Sequence, residues 1–413
     1  MTTLSRKTVA ILLMAFATIA VAFTSMYITL SLTAKQSENA GSVYIIDDQE
    51  HETISRYARL EEVYQRIMSE YYREPDPDQL IQGAIDGMMA SLKDPYTVYY
   101  TPEELSKINE DHNGLYTGIG MLVTSDEKGR LLVLRVFSDS PARQAGILPG
   151  DIILTADGSP LSAETAEIMN EAVSKIKGEI GSSVELEILR DGEKIRLSVE
   201  RRSVSVNRVE YQILDGNIGY LVLYEFFGDA VSGVREALEA FQDANVDAVI
   251  FDVRSNTGGQ LDICLEICDM VLPEGIIVYT EDRYGYREYY YSQAKHYDFP
   301  MAILVNELTA SASEIFASAA QDYEIAAIVG TQTYGKGIVQ TQYPFLSDNA
   351  AMKLTTSSYY SPLGRSIHGE GVTPDVAVEL DESYDASIYA PDLENDNQLK
   401  AAYDLLMSQI HAE

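Results

Sequence analysis

Four short apolar runs in the C-terminal half constrain the fold more than any other feature of the sequence. They cover residues 218–222, 248–252, 301–305 and 325–329. Runs this short cannot form helices of ordinary length, and they lack polar alternation, as strands buried on both faces do. Helical patterns lie between or after them at residues 229–243, 260–270 and 312–322. The alternation predicts an α/β core, a layered sheet with helices packed on it.

Length and composition exclude several other classes of protein. A chain of 413 residues is long enough for two or three domains. It carries 64 acidic against 30 basic residues, a formal charge of −34, which would repel a phosphate backbone and argues against a nucleic-acid partner. Two cysteines exclude a disulfide scaffold and a cysteine-rich metal site.

The N-terminus contains a candidate membrane anchor. Residues 8–32 carry no charge, and as a helix they would extend about 37 Å at about 1.5 Å per residue. Arg6 and Lys7 precede the run and the next cation is Lys35, so residues 1–35 are expected to be a cytoplasmic stub and a single-pass anchor in the cell membrane, with the remainder extracytoplasmic. The alternative is a cleaved signal peptide, although residues 32–34 fit a cleavage site poorly.

A small helical module is expected at residues 36–112. Apolar residues recur at three- and four-residue spacing from residue 54 onwards, which predicts an amphipathic helix that ends before Pro75 and Pro77. A second helical run covers residues 80–92. We interpret the module as a spacer, and a homodimer formed through its helices is left open.

A β-rich domain is expected at residues 113–203. Its predicted strands cover residues 119–123, 131–136, 151–156, 184–189 and 195–199, with helices at 140–145 and 163–176. The motifs at residues 116–121 and 140–151 resemble those of PDZ domains. This resemblance implies that a peptide's C-terminal carboxylate binds at the turn formed by Gly118, Ile119, Gly120 and Met121.

The segment 309–313 is a candidate nucleophile turn. A buried strand breaks there into small residues before a helix, which would expose Ser311 at a helix N-terminus. Free N–H groups and the helix dipole at that position suit the oxyanion that forms when a serine attacks a carbonyl. Serine is also a common N-cap residue, so this segment taken alone favours a capping role.

Two further loops also follow predicted strands. Lys336 stands between Gly335 and Gly337, and a lysine in a poorly solvated pocket can act as a general base. A phosphate-binding loop is excluded, because glycine follows Gly-Lys where serine or threonine is needed. Gly258 and Gly259 form a turn that can aim N–H groups at an anion. The alternative prediction is that a histidine, and not Lys336, is the general base.

Of the five histidines, only His296 and His368 are plausible bases, and neither lies in a recognisable motif. The three loops, with an exposed serine, a lysine of buried type and an anion-binding turn, together predict an acyl-transfer site.

Together these residues resemble the C-terminal processing peptidases, or tail-specific proteases, which are serine peptidases with a Ser-Lys dyad. The resemblance begins at Leu60 and takes in residues 94–96, 100–104, 354–356, 359–367 and 371–375. It implies a crotonase- or ClpP-like α/β serine peptidase core at residues 204–413. It also implies protein or peptide substrates with accessible C-termini and no metal or organic cofactor.

The resemblance assigns roles to individual residues. It implies that Ser311 is the nucleophile, that Lys336 is the base and that Gln340 orients the lysine. The implied oxyanion-hole residues are Gly258, Gly259 and Ala312, and the implied supporting residues are Glu314, Asp322, Thr333 and Arg254. Lys177 stands where many members have arginine.

The sequence thus predicts a membrane-anchored, extracytoplasmic serine endopeptidase that binds substrate tails through a PDZ domain. The alternative is a peptide-binding scaffold whose peptidase core is inactive or conditionally active. A crotonase-type enzyme acting on acyl-CoA thioesters is a second alternative, against which the PDZ-like domain and the external location argue.

Overall fold

The computed structural model describes residues 48–413 except 114, 127, 138, 382–383, 385–390 and 412–413. Across this part of the chain, no helix combines the length and the apolar character that crossing a bilayer requires. The membrane helix predicted at residues 8–32 lies outside the described residues.

The described residues form an α/β structure. The helices are α1 (Asp48–Glu70), α2 (Pro77–Ser91), α3 (Pro102–Asn113), α4 (Pro141–Gln144), α5 (Ala166–Ile176), α6 (Ala230–Ala244), α7 (Leu261–Val271), α8 (Ala312–Asp322) and α9 (Asn397–Ile410). The strands are β1 (Val98–Tyr100), β2 (Leu115–Gly118), β3 (Met121–Ser125), β4 (Leu131–Val136), β5 (Ile152–Ala156), β6 (Ser159–Pro160), β7 (Ser183–Arg190), β8 (Glu193–Glu200), β9 (Arg202–Ser205), β10 (Val209–Leu214), β11 (Ile218–Leu223), β12 (Ala248–Asp252), β13 (Gly275–Asp282), β14 (Arg287–Ser292), β15 (Met301–Val305), β16 (Ala326–Gly330), β17 (Ile338–Pro344), β18 (Ala351–Tyr360) and β19 (Val376–Ala377).

The chain divides into two compact units between Ile85 and Asp86, within α2. The first unit contains α1, which lies where the apolar spacing predicts a helix and ends at Glu70, before Pro75. The second unit contains the β-rich domain and the α/β core.

The β-rich domain is built on an antiparallel sheet of order β3-β4-β5-β7-β8, with β6 beside β5 and a separate pair formed by β2 and β9. Its buried residues form one core, which includes Leu131, Val184 and Ala172 of α5. The strand predicted at 119–123 begins only at Met121. Gly120 has φ +85, and a Cβ on it would lie 2.2 Å from the Cβ of Ser140.

The α/β core is built on a six-stranded sheet of order β10-β11-β12-β15-β16-β19. The four apolar runs are the adjacent strands β11, β12, β15 and β16, and they are parallel to one another. The prediction of a sheet whose strands are buried on both faces is therefore confirmed, and the structure adds that these strands are parallel. Only β10 runs antiparallel, beside β11.

Both faces of this sheet are covered, which explains why its strands are apolar throughout. Leu221 and Phe251 belong to a core shared with α6, α7 and α8. Their neighbours Tyr220 and Ile250 point to the other face, where α9 packs through Leu399 and other side chains. Successive strand residues thus alternate between two helical layers.

A second sheet covers part of the core and was not predicted from the sequence. Its order is β1-β18-β13-β14, and β17 pairs with the other edge of β18. Strand β1, from the segment expected to be helical, pairs with β18 through Val98 and Lys353. The sequence segment that precedes the β-rich domain therefore contributes to the architecture of the α/β core.

Candidate active site

Three loops leave the same edge of the central sheet. They follow β12, β15 and β16, and because these strands are adjacent and parallel, their carboxyl ends lie side by side. The loops carry Gly258, Ser311 and Lys336, respectively.

These loops line a cavity of about 590 Å³. Its lining consists of Asn109, Phe227, Thr257, Gly258, Gly259, Gln260, Leu261, Asp262, Ser311, Ala312, Ile315, Lys336, Ile338, Val339, Gln340, Gln342, Lys353 and Tyr359. All six residues assigned to the catalytic and oxyanion groups are among them.

Ser311 occupies a strained turn between β15 and α8. It is the N-cap of α8, with φ 58 and ψ −118, a region that residues other than glycine rarely adopt. Such a conformation costs about 1–3 kcal/mol and persists only where the surroundings enforce it. Ser311 is half-buried, whereas Ala312 and Ser313 after it are buried, so the turn presents the serine at the cavity wall.

Glu314 holds this turn to the loop that carries the lysine. Its side chain is fully buried, and its Oε2 accepts hydrogen bonds from the N–H groups of Ser311 and Lys336, both 2.8 Å long. Its Oε1 accepts from Thr333 Oγ1 at 2.6 Å and from the Gly335 N–H at 2.7 Å. One carboxylate therefore joins the two loops through four donors.

Of the three backbone amides that the resemblance assigns to the oxyanion hole, two have an N–H group that is available to bind an anion. The Gly258 N–H already donates to Asn256 Oδ1 at 2.9 Å. Among the described residues, the N–H groups of Gly259 and Ala312 donate to no protein acceptor, and both residues line the cavity. Gly258 instead supplies space, because a Cβ there would lie 2.8 Å from the Cβ of Ser311.

Lys336 lies in a poorly solvated and electrostatically mixed environment. Burial is the largest cause that lowers the pKa of its ammonium, and the positive charge of Lys353 lowers it further. The carboxylates of Asp94 and Glu314 act in the opposite direction. The net shift is downward, so a neutral amine forms at lower pH than on an exposed lysine.

The amine of Lys336 contacts an aromatic ring. Its Nζ lies 4.6 Å from the ring centroid of Tyr96. Within the described part of the chain, Nζ makes no hydrogen bond to another protein group, Ser311 Oγ included. Gln340 lies at a β-bulge in β17, and its Nε2 makes only long contacts, 3.5 Å to Ile338 O and 3.4 Å to Thr355 Oγ1.

Tyr359 also joins the serine and lysine loops, a role that its local sequence does not indicate. Its hydroxyl lies 3.0 Å from the carbonyl oxygen of Ser311 and is also bonded to that of Lys336. Burial raises the pKa of this phenol well above its ordinary value, so it remains a donor that the two carbonyls share.

The other predicted supporting residues lie away from the cavity lining. Thr333 bonds to Glu314, as described above, and accepts from Val372 N at 2.7 Å. Asp322 pairs with Arg365 and accepts from Leu363 N at 2.9 Å.

Arg254 is held in a buried ion-pair network beneath the loop after β12. It pairs with Asp252 at 2.6 Å and with Asp396 at 2.7 Å, which ties the end of β12 to the start of α9. The interactions of Arg254 therefore indicate a structural role in the position of this loop.

No histidine lines the cavity around Ser311 within the described residues. His296 bonds to Ala294 O at 3.2 Å and lines a different cavity with Lys295 and Tyr297. His368 is exposed, with its backbone against Gly337. The geometry therefore favours Lys336 over either histidine as the base.

A separate apolar groove lies in the β-rich domain. It is lined by the four residues assigned to carboxylate binding, Gly118, Ile119, Gly120 and Met121. Val173, Ile176 and Lys177, from α5 and the residue after it, form part of the remaining lining. The groove between β3 and α5 thus contains the residues that the PDZ resemblance implies.

Sequence reasoning also missed Asn256. It is fully buried, and its side-chain Nδ2 donates to Leu223 O at 2.7 Å. Its backbone carbonyl accepts from Ser313 Oγ at 2.9 Å. An asparagine before a Gly-Gly turn is an available signal, because its side chain can bond to the backbone two residues later.

The role of Glu314 can be tested with Glu314→Gln. The amide NH₂ would face at least one backbone N–H, leaving a buried donor unsatisfied. We expect the free energy of unfolding to fall by about 1–3 kcal/mol. Urea unfolding monitored by circular dichroism measures this loss.

Glu307→Gln is the matched control for this substitution. Glu307 lies in the loop that precedes α8 and is exposed, and we expect a change below about 0.5 kcal/mol. Equal stability of the two variants would contradict the role assigned to Glu314.

The sequence matches three known families over consecutive segments. Residues 19–104 match the "Activating protease CtpB N-terminal domain", residues 117–200 match the PDZ domain, and residues 217–378 match peptidase family S41. These segments cover the helical region, the β-rich domain and most of the α/β core.

Individual proteins show the same similarity over most of the chain. A carboxy-terminal-processing protease of Bartonella bacilliformis is 36% identical over 352 residues, which are 82% of this chain and 79% of the relative. A probable CtpA-like serine protease of Staphylococcus epidermidis is 35% identical over 326 residues, 78% of this chain and 65% of that relative.

Solved structures show the same architecture. The photosystem II D1 C-terminal processing protease is 28% identical with a TM-score of 0.51, over 84% of this chain and 90% of that one. A putative S41 protease of Bacteroides fragilis has a TM-score of 0.58 over 83% and 92%, and at 19% identity it supports the fold alone. The chain therefore belongs to peptidase family S41, as a C-terminal processing serine peptidase with a PDZ domain.

Proposed function

We propose that this peptidase cleaves proteins with a Ser311–Lys336 dyad, after its PDZ domain has bound the substrate's C-terminal tail. The observation that carries the proposal is the shared cavity. Ser311 and Lys336 both line it, and their loops are joined by Glu314. A strained serine at a helix N-terminus and a poorly solvated lysine supply a nucleophile and a general base that can perform acyl transfer.

The chemistry follows from these two side chains. Ser311 Oγ attacks the peptide carbonyl while its proton passes to neutral Lys336, and the N–H groups of Gly259 and Ala312 stabilise the oxyanion. The amine product leaves with the proton from Lys336, which leaves an acyl-serine. Water then attacks this ester as Lys336 takes its proton, and Ser311 regains a proton when the acid product leaves.

The PDZ groove supplies substrate selection in this proposal. Glycines allow a peptide carboxylate to approach the backbone at Gly118 and Gly120, and an extended tail can add beside β3. The apolar side chains of Val173 and Ile176 favour an apolar terminal residue. Substrates are therefore proteins or peptides with accessible C-termini.

The dyad can be tested by hydrolysis of an unstructured protein with an apolar C-terminus by the full chain, between pH 6 and 10. We expect the rate to rise with pH, because protonated Lys336 cannot accept the serine proton and its pKa is lowered only in part by burial. Ser311→Ala and Lys336→Ala should each reduce the rate by at least about 10³-fold.

His296→Ala and His368→Ala are the matched controls and should retain the pH profile of the wild type. Activity that survives Lys336→Ala but disappears in a histidine variant would overturn the dyad. Absence of hydrolysis in every form, with tail binding retained, would favour the peptide-binding scaffold.

Tyr359→Phe tests how firmly the two loops must be held. Loss of the hydroxyl leaves the carbonyls of Ser311 and Lys336 without a shared donor. We expect kcat to fall about 5- to 30-fold while KM changes little, since the ring still fills its site. Steady-state kinetics separates the two constants. Tyr360→Phe, which removes the next hydroxyl along β18, is the control, and an equal loss there would contradict the assignment.

We also propose that residues 8–32 anchor the peptidase in the membrane with residues 36–413 outside the cytoplasm. Support comes from the uncharged run and from Arg6 and Lys7 before it. The full chain should remain in the membrane fraction after an alkaline carbonate wash, and a C-terminal reporter that is active only outside the cytoplasm should be active. A shortened, soluble product would instead indicate signal-peptide cleavage.

A further inference from the structure

The ring of Tyr96 is an unassigned partner of the proposed base. Tyr96 lies between α2 and β1, and its ring centroid is 4.6 Å from Nζ of Lys336. Within the described residues, this is the partner that the amine contacts, since it makes no hydrogen bond or ion pair. The side chain that must take a proton from Ser311 is thus held on an aromatic face.

The position of Tyr96 is fixed by hydrogen bonds and not by the ring contact alone. Its N–H donates to Asp94 Oδ1 at 2.9 Å, and Asp94 Oδ2 accepts from Thr97 Oγ1 at 2.7 Å. Thr97 Oγ1 in turn accepts from Thr355 N at 3.2 Å, which attaches this turn to β18. The turn that carries the ring is therefore attached to the sheet that borders the cavity.

The phenol adds a second contact near the lysine. Tyr96 OH donates to Tyr334 OH at 3.4 Å, two residues before Lys336. This hydrogen bond, followed by burial, raises the pKa of Tyr96 to about 12. The ring is therefore a neutral phenol between pH 6 and 10, and its contact with the amine is a cation–π interaction and not an ion pair.

A cation–π interaction acts on one protonation state of the lysine. The negative face of the ring stabilises an ammonium and gives little to a neutral amine. The other groups that act on Lys336 are Lys353 on β18, which disfavours the charge, and Asp94 and Glu314, which favour it. Glu314 already accepts four hydrogen bonds from groups other than Nζ. The ring of Tyr96 is the group that Nζ contacts directly.

We propose that Tyr96 is a positioning residue for Lys336: its ring binds the protonated amine outside hydrogen-bonding distance of Ser311 Oγ and thereby sets the pH at which the base becomes available. The inference rests on the proposed role of Lys336 as the general base. It predicts that weakening the ring's negative face makes the base available at lower pH.

Direct titration of the amine tests this without any activity measurement. Full-length Ser311→Ala protein in detergent, labelled in lysine, gives the Lys336 Nζ resonance by NMR, assigned by its loss in Lys336→Arg. We expect the titration midpoint in Tyr96→Leu to fall by about 0.5 to 1 pH unit relative to the Ser311→Ala protein that retains Tyr96, and Tyr96→Phe to leave it almost unchanged.

A variant of preserved shape guards against loss of the fold. Pentafluorophenylalanine at position 96 keeps a ring of similar size but reverses its quadrupole, and we expect the same downward shift as in Tyr96→Leu. Tyr334→Phe removes the hydroxyl contact alone and should leave the midpoint in place. Lys353→Met removes a positive charge that opposes protonation, so it should move the midpoint upward.

The pH profile of hydrolysis provides the functional readout. In Tyr96→Leu with Ser311 intact, the rising limb of kcat/KM should move downward by the same 0.5 to 1 unit, which is about a 3- to 10-fold higher rate on that limb relative to the plateau. A merely structural role would lower the rate at every pH and leave the midpoint in place.

The outcomes separate the two proposals. An unchanged Lys336 titration in both Tyr96→Leu and the pentafluorophenylalanine variant overturns the role of Tyr96, whatever the activity of the enzyme. Hydrolysis that survives Lys336→Ala overturns the dyad, whereas the titration still reports whether the ring holds the amine.

Discussion

The geometry of the candidate site depends on one buried carboxylate. Glu314 accepts hydrogen bonds from the backbone on both sides of the site, at Ser311 on one loop and at Gly335 and Lys336 on the other. Neither loop can move without leaving a buried charge short of donors, which is costly in a poorly solvated interior. Tyr359 repeats the connection from the carbonyl side. The spacing of Ser311 and Lys336 is therefore set by residues whose own side chains need not touch the substrate.

Much of this arrangement could be predicted from local sequence, because parallel sheets impose a simple rule. Strands buried on both faces are apolar along their whole length, and their carboxyl ends share one edge. Once the runs ending near Asp252, Val305 and Gly330 are recognised as strands, the loops that follow must meet. The small residues around Ser311 and the glycines around Lys336 then indicate chemistry at that edge. The PDZ domain could also be predicted from the sequence, since its glycine turn and its strand pattern lie within one continuous segment.

The remainder could not be predicted because it depends on contacts between distant segments. Val98 pairs with Lys353, and nothing in either local pattern indicates the other. Tyr359 looks like any strand tyrosine until β18 places its hydroxyl at two loop carbonyls. The Gly-Gly turn indicated free amides, but only the fold shows that the Asn256 side chain consumes the first of them and leaves Gly259. Tertiary hydrogen bonds, and not propensity, decide such details.

Lys336 is surrounded by groups that have opposite effects on the pKa of its amine. Burial and Lys353 favour the neutral amine that the proposed dyad needs, while Asp94 and, in our proposal, the ring of Tyr96 favour the charged one. Because these effects act in opposite directions, a displacement of one partner changes the fraction of neutral amine without disturbing Ser311. Tyr96 is the partner on a connecting segment, between α2 and β1, whereas Lys353 lies within a strand. In the proposed dyad, the turn that presents Ser311 can therefore stay assembled while the ring of Tyr96 holds Lys336 in its charged form.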